Sequence, residues 1–145
     1  MESKDTISLL QKCDLGTKMA VSSIDDVMDK LQDEKLKELL QKSKEHHEKL
    51  GDELHKLLLQ HHSDDQDPGV MAKSMSWFKT NIKVGMGDDN DKAAADLMTD
   101  GCNMGIKTLY QYLNQYKDAD HTAKAICSRL ISIEETLLND LRKYL

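Results

Sequence analysis

Apolar residues recur in steps of three and four along most of this chain, the spacing of one buried stripe on a helix. Over about 5–31 the stripe runs through Leu10, Asp14, Thr17, Val21, Ile24, Met28 and Leu31. Over about 33–60 it runs through Leu36, Leu40, Ser43, His47, Leu50, Leu54 and Leu57. Only the short "LQDEK" separates the two, which predicts that they fold back on each other as an antiparallel hairpin. A second pair is predicted over about 92–116 and 120–144, the latter with Ala123, Ile126, Leu130, Ile133 and Leu137 in its stripe. Asp118 or Asp120 stands where a helix cap is wanted.

The two pairs are joined by about 27 residues, 60–87. "HHSDDQDPG" breaks the helical pattern, and "GMGDDND" closes the connector with aspartates that suit the positive end of a following helix. Between them Met71, Met75, Phe78 and Ile82 share a face, predicting a short amphipathic helix over about 70–84. A connector of that length can cross a bundle from end to end, so the expected architecture is all-α: one domain over 1–145, a four-helix bundle with one long crossover.

Composition supports helices and narrows the function classes. One proline, seven glycines, 4% aromatic and 32% charged residues favour helices and leave few strand formers. The net charge of −6, with both signs interspersed, offers no basic footprint for nucleic acid. No run nears the roughly 18 apolar residues that span a bilayer, and "MESKDTISLL" lacks the apolar core of a signal peptide. Three dispersed cysteines, Cys13, Cys102 and Cys127, suit reduced thiols, so a cytoplasmic protein is expected.

The stripes carry polar residues where a plain bundle has leucine. Counted from a first turn centred near residue 32.5, Asp14, Thr17 and His47 fall within about one helical turn of a common level. Counted from a second turn near residue 118, Cys102 and the pair Glu134–Glu135 stand equally far from it. Asp14, His47, Cys102 and a glutamate of the last helix are therefore expected to converge near mid-bundle. Carboxylates and imidazoles held on facing helices are ligands for iron or manganese, which makes Asp14, Glu45, His47, Glu48, Glu134 and Glu135 the candidate metal residues.

At this point the chain resembles the ferritin-like superfamily, in particular small bacterial ferritin-like four-helix proteins of the domain-of-unknown-function type. The resemblance rests on "LLQKCDLGTKM", "KLKELLQKSKEHHEKLGDEL" and, beyond the Trp77-containing crossover, "GMGDDNDKAAADLMTDGCNMGIKTLYQYL". It implies the same bundle. Metal-binding members would carry Glu on helices 1 and 3 and Glu-x-x-His on helices 2 and 4. Here those places hold Asp14, Glu45-x-x-Glu48 around His46 and His47, Gly101-Cys102-Asn103, and Glu134–Glu135 followed by leucines at 137 and 138.

Each feature also has a plainer reading. Adjacent helical residues point about 100° apart, so only one of His46 and His47 can face the seam, and His47 fits it. Glu45 and Glu48 can pair with neighbouring lysines on a solvated face. A seam carboxylate at Asp14 needs a partner, and Lys18 is one turn away. Gly101 and Gly105, four apart, allow close helix approach, and Cys102 between them reads as a small apolar residue. Nothing matches a phosphate loop, a nucleophilic triad or a dinucleotide fingerprint. The expectation is a bundle without an intact di-iron ligand set and with no catalytic residues, acting through helix-face contacts with a helical partner or a second copy. The competing expectation is an iron- or manganese-binding redox protein.

Overall fold

A computed structural model describes residues 4–63 and 90–145 of the chain. Among these residues the protein is all-α: α1 (Lys4–Met28), α2 (Glu34–Gln60), α3 (Asn90–Gln115) and α4 (His121–Leu141), with a 3₁₀ turn (Arg142–Tyr144) at the end. The expected short helix over about 70–84 lies outside the described residues. No described helix is long and apolar enough to cross a membrane.

Local chemistry sets the helix limits. The Asp33 side chain accepts from Leu36 N at 2.9 Å and opens α2; Asp120 accepts from Ala123 N at 2.8 Å and opens α4. Each carboxylate satisfies one of the amides that a helix start leaves unbonded. α2 closes at His62, which takes the left-handed conformation (φ 54°) and lets Ser63 N reach back to Leu58 O at 2.8 Å.

The ends of the four helices are tied together by side chains. The Asp91 carboxylate, in the first turn of α3, accepts from Gln32 N and Asp33 N at 2.8 and 3.1 Å, gripping the α1–α2 turn. The α3–α4 turn is held by the start of α1, where Asp5 accepts from Asp118 N (3.1 Å) and Thr6 from Asp120 N (2.8 Å). Along α1 and α2, Lys44 pairs with Asp25 at 2.6 Å, Gly51 faces Thr17, and Ser63 accepts from Gln11 at 3.1 Å. Positions rise on one helix as they fall on the other.

α1 touches all three other helices, and one narrow stripe cannot serve three neighbours. Its buried face is accordingly broader than the predicted line. Leu9, Cys13, Leu15 and Val27 join Leu10 and Ile24 inside, whereas Val21 and Met28 are only half-buried. The apolar core forms two clusters. One gathers Ile24, Val27, Leu36, Leu40, Met98 and Leu137; the other gathers Leu9, Leu10, Leu50, Leu54, Ile126 and Leu130. Neither includes Thr17, Ser43, His47 or Glu134, all buried. These four polar residues divide the core near its middle.

Candidate functional site

His47 is the anchor of that polar layer, with no exposed surface at all. Its place on α2 follows from the seam through Leu40, Ser43, Leu50 and Leu54, all buried. Its Nδ1 lies 2.8 Å from the Ser43 carbonyl, and its Nε2 lies 3.2 Å from Glu134 Oε1 on α4. A carbonyl only accepts, so Nδ1 must carry a hydrogen and donate. That fixes the remaining chemistry. One proton lies between Nε2 and the Glu134 carboxyl, as imidazolium and carboxylate or as two neutral groups.

Cys102, on α3, meets the same glutamate. Burial, followed by the Glu134 negative charge and the hydrogen bond to it, pushes the thiol up and keeps it protonated. Glu134 thus links three helices: α2 through His47, α3 through Cys102, and α4, which carries it. The expected convergence includes Asp14 as a fourth member.

Asp14 stands elsewhere. It is buried, but its Oδ2 lies 2.9 Å from Lys18 Nζ, one turn along the same helix. Thr17 Oγ1 donates to the Asp14 carbonyl at 2.8 Å. Thr17 faces Gly51, four residues past His47, and Asp14 lies three residues farther along α1. The resulting seven-residue offset separates Asp14 from His47 by about 10 Å along the helices. The level count from the first turn missed this because α1 ends at Met28 and the connecting turn is not symmetric about residue 32.5.

Glu45, Glu48 and Glu135 are exposed, as is His46. Of the six candidate metal residues, the structure therefore brings together His47 and Glu134. Among the described residues, no three His, Cys, Asp or Glu side chains group where they could hold a metal ion. Cys102 and His47 each approach Glu134. Cys13 and Cys127 form a separate thiol pair across α1 and α4. Their mutual hydrogen bond, with burial, pushes Cys13 up and, against burial, draws Cys127 down, and Cys127 Sγ donates to Leu109 O at 3.8 Å.

Beside the polar layer runs a half-open groove between α1 and α3, about 210 Å³ in volume. Leu15, Met19, Met98 and Leu109 line it with apolar surface; Leu130, Glu134 and Leu137 of α4 form its floor. Gly101 and Gly105 border it, and neither serves the close helix approach that their spacing suggested. A Cβ at Gly101 would meet nothing within 4 Å, and one at Gly105 would meet only the Glu134 carboxyl at 3.9 Å. α3 stands away from α1 here because the groove lies between them. The polar seam positions were legible in the sequence; the groove was not, although two glycines inside a helix were its trace.

Fold and site define a class first: an all-α, four-helix protein with a polar layer across its core and a groove opening on that layer. Residues 5–119 match the family model described as Domain of unknown function (DUF2383), and the chain belongs to that family. No curated protein matches the chain, and no solved structure does.

Proposed function

We propose that this protein is a ferritin-like antiparallel four-helix bundle that works as a non-enzymatic binding protein through the face between α1 and α3. The observation that carries the reading is the open space at Gly101. Glycine inside a helix costs about 0.5–1 kcal/mol relative to alanine, and it is normally kept for an unusual backbone angle or a tight contact. Gly101 has a helical backbone without positive φ and, among the described residues, no neighbour to avoid. The remaining reason is the space itself, kept for something outside the described chain.

The antiparallel packing within that reading draws support from the tied helix ends and from the pairing of Thr17 with Gly51 and Asp25 with Lys44. A helical partner or a second copy can fill the same face as a small ligand does.

Filling the groove tests the reading. Wild type is expected to bind an environment-sensitive apolar dye such as Nile red saturably, and Gly101→Leu to lose that signal while keeping its helical circular dichroism. Where a second copy covers the face, sedimentation velocity shows a dimer that Gly101→Leu dissociates. Equal dye binding and equal sedimentation in both proteins would remove the basis for the reading.

A further inference from the structure

We propose that the α1–α3 groove takes a small cationic amphiphile, its apolar body along the groove and its ammonium on the Glu134 carboxylate. The inference rests on the groove reading above and adds the chemistry of the occupant.

Size is the first constraint. An apolar cavity of about 150 Å³ accommodates benzene, so the roughly 210 Å³ here admits one ring or a chain of some six carbons. The walls set the second. Leu15, Met19, Met98 and Leu109 give the occupant apolar contact, with Ser23, Thr108 and Tyr112 also among the lining residues.

The anchor comes from the floor. Glu134 is the acidic residue among those lining the groove, and its side chain keeps 12% of its surface exposed. Beside its contact with His47 Nε2 the carboxyl can accept a further hydrogen bond, so its complement is a donor, best a charged one. His47 cannot serve from the groove side: it is wholly buried behind Glu134. The cation among the groove residues, Lys12, has its Nζ 5.7 Å from the centre of the Tyr112 ring.

Gly105 supplies the access. The carboxyl of Glu134 is the nearest thing a Cβ at 105 would touch. Any larger side chain there would lie over the carboxylate and close it to a ligand. Two glycines one turn apart on α3, one giving volume and the other access to the charge, are accounted for by an occupant that uses both.

The test titrates the full-length protein with hexylamine, hexanol and hexanoate by isothermal calorimetry, in wild type, Glu134→Gln and Gly105→Leu. Hexylamine is expected to bind wild type at least tenfold more tightly than hexanol, with hexanoate weakest. Glu134→Gln is expected to erase the preference for amine over alcohol, and Gly105→Leu to weaken all three. Equal binding of amine and alcohol to wild type, abolished by Gly105→Leu, would overturn the cationic class and leave the groove reading standing. An amine preference that survives in Glu134→Gln would do the same. Binding of none of the three, or binding indifferent to Gly105→Leu, would overturn the groove reading as well. The wild-type comparison of amine with alcohol decides the class even where a variant fails to fold.

Discussion

His47 Nε2 and Glu134 Oε1 stand 3.2 Å apart across two helices, and the Ser43 carbonyl, 2.8 Å from Nδ1, leaves that contact to carry a single proton. The pair fixes the lateral position of α4 against α2, and it holds the Glu134 carboxylate at the groove floor.

Removing one partner leaves the other buried without its counterpart. His47→Leu is expected to lower the free energy of unfolding by about 3 kcal/mol. Adding Glu134→Leu should recover part of that loss, since replacing both members of a buried pair by apolar groups is often close to neutral. Urea denaturation of the two single variants and the double variant measures the coupling. Strictly additive losses would mean that the contact contributes no stability of its own.

The helical glycines separate into two kinds. At Gly101 an added methyl group meets open space, so Gly101→Ala should raise stability by about 0.5–1 kcal/mol. At Gly51 the methyl would come 3.2 Å from Thr17 Oγ1. That hydroxyl is held by the Asp14 carbonyl at 2.8 Å and cannot swing away without losing a buried hydrogen bond. Gly51→Ala should therefore lower the melting temperature while Gly101→Ala raises it. Scanning calorimetry of the two variants gives both signs.

Glu53 and Arg129 form a two-pronged pair on the surface, at 3.1 and 2.7 Å. The guanidinium's hydrogen bonds hold the Glu53 carboxyl below the usual carboxylate range. A folded-state value lower than the unfolded one contributes stability above the ordinary carboxylate pKa, and that stability is lost as pH falls through the folded value. Glu53→Gln should melt slightly below wild type at pH 7, and the gap should close in acid. The effect is small, because both side chains are about half exposed and screened. A gap that persists after Glu53 protonates would point to packing rather than charge.

All three cysteines are buried and unlinked, and Cys13 and Cys102 are pushed up. Thiolate is the reactive form, so native protein should show no fast-reacting thiol toward Ellman's reagent at neutral pH. Urea should expose three. One fast thiol in the native protein that Cys102→Ala removes would show Cys102, the cysteine on the groove, to be open to solvent.

Untagged protein purified without chelator should contain well under one iron or manganese per chain by elemental analysis, with no change in His47→Ala. Near-stoichiometric metal, lost in His47→Ala, would instead favour the competing redox reading and put the remaining donors beyond the described residues.

The sequence by itself determined the helices, their approximate limits and which polar residues lie in the seams, because those depend on spacing and on short-range capping. Leu36, Leu40, Ser43, His47, Leu50 and Leu54 are buried as their steps of three and four required, and Asp120 caps where it stands. The tertiary structure decided which seam residues meet. Axial offset and rotation between helices depend on how whole faces pack, and no periodicity within one helix records them. Hence Glu134 rather than the adjacent Glu135 reaches His47, and Asp14, a seam residue too, lies about two turns away with Lys18 as its partner. The groove was decided the same way: a glycine reads identically whether a neighbouring helix fills the space beside it or leaves that space open.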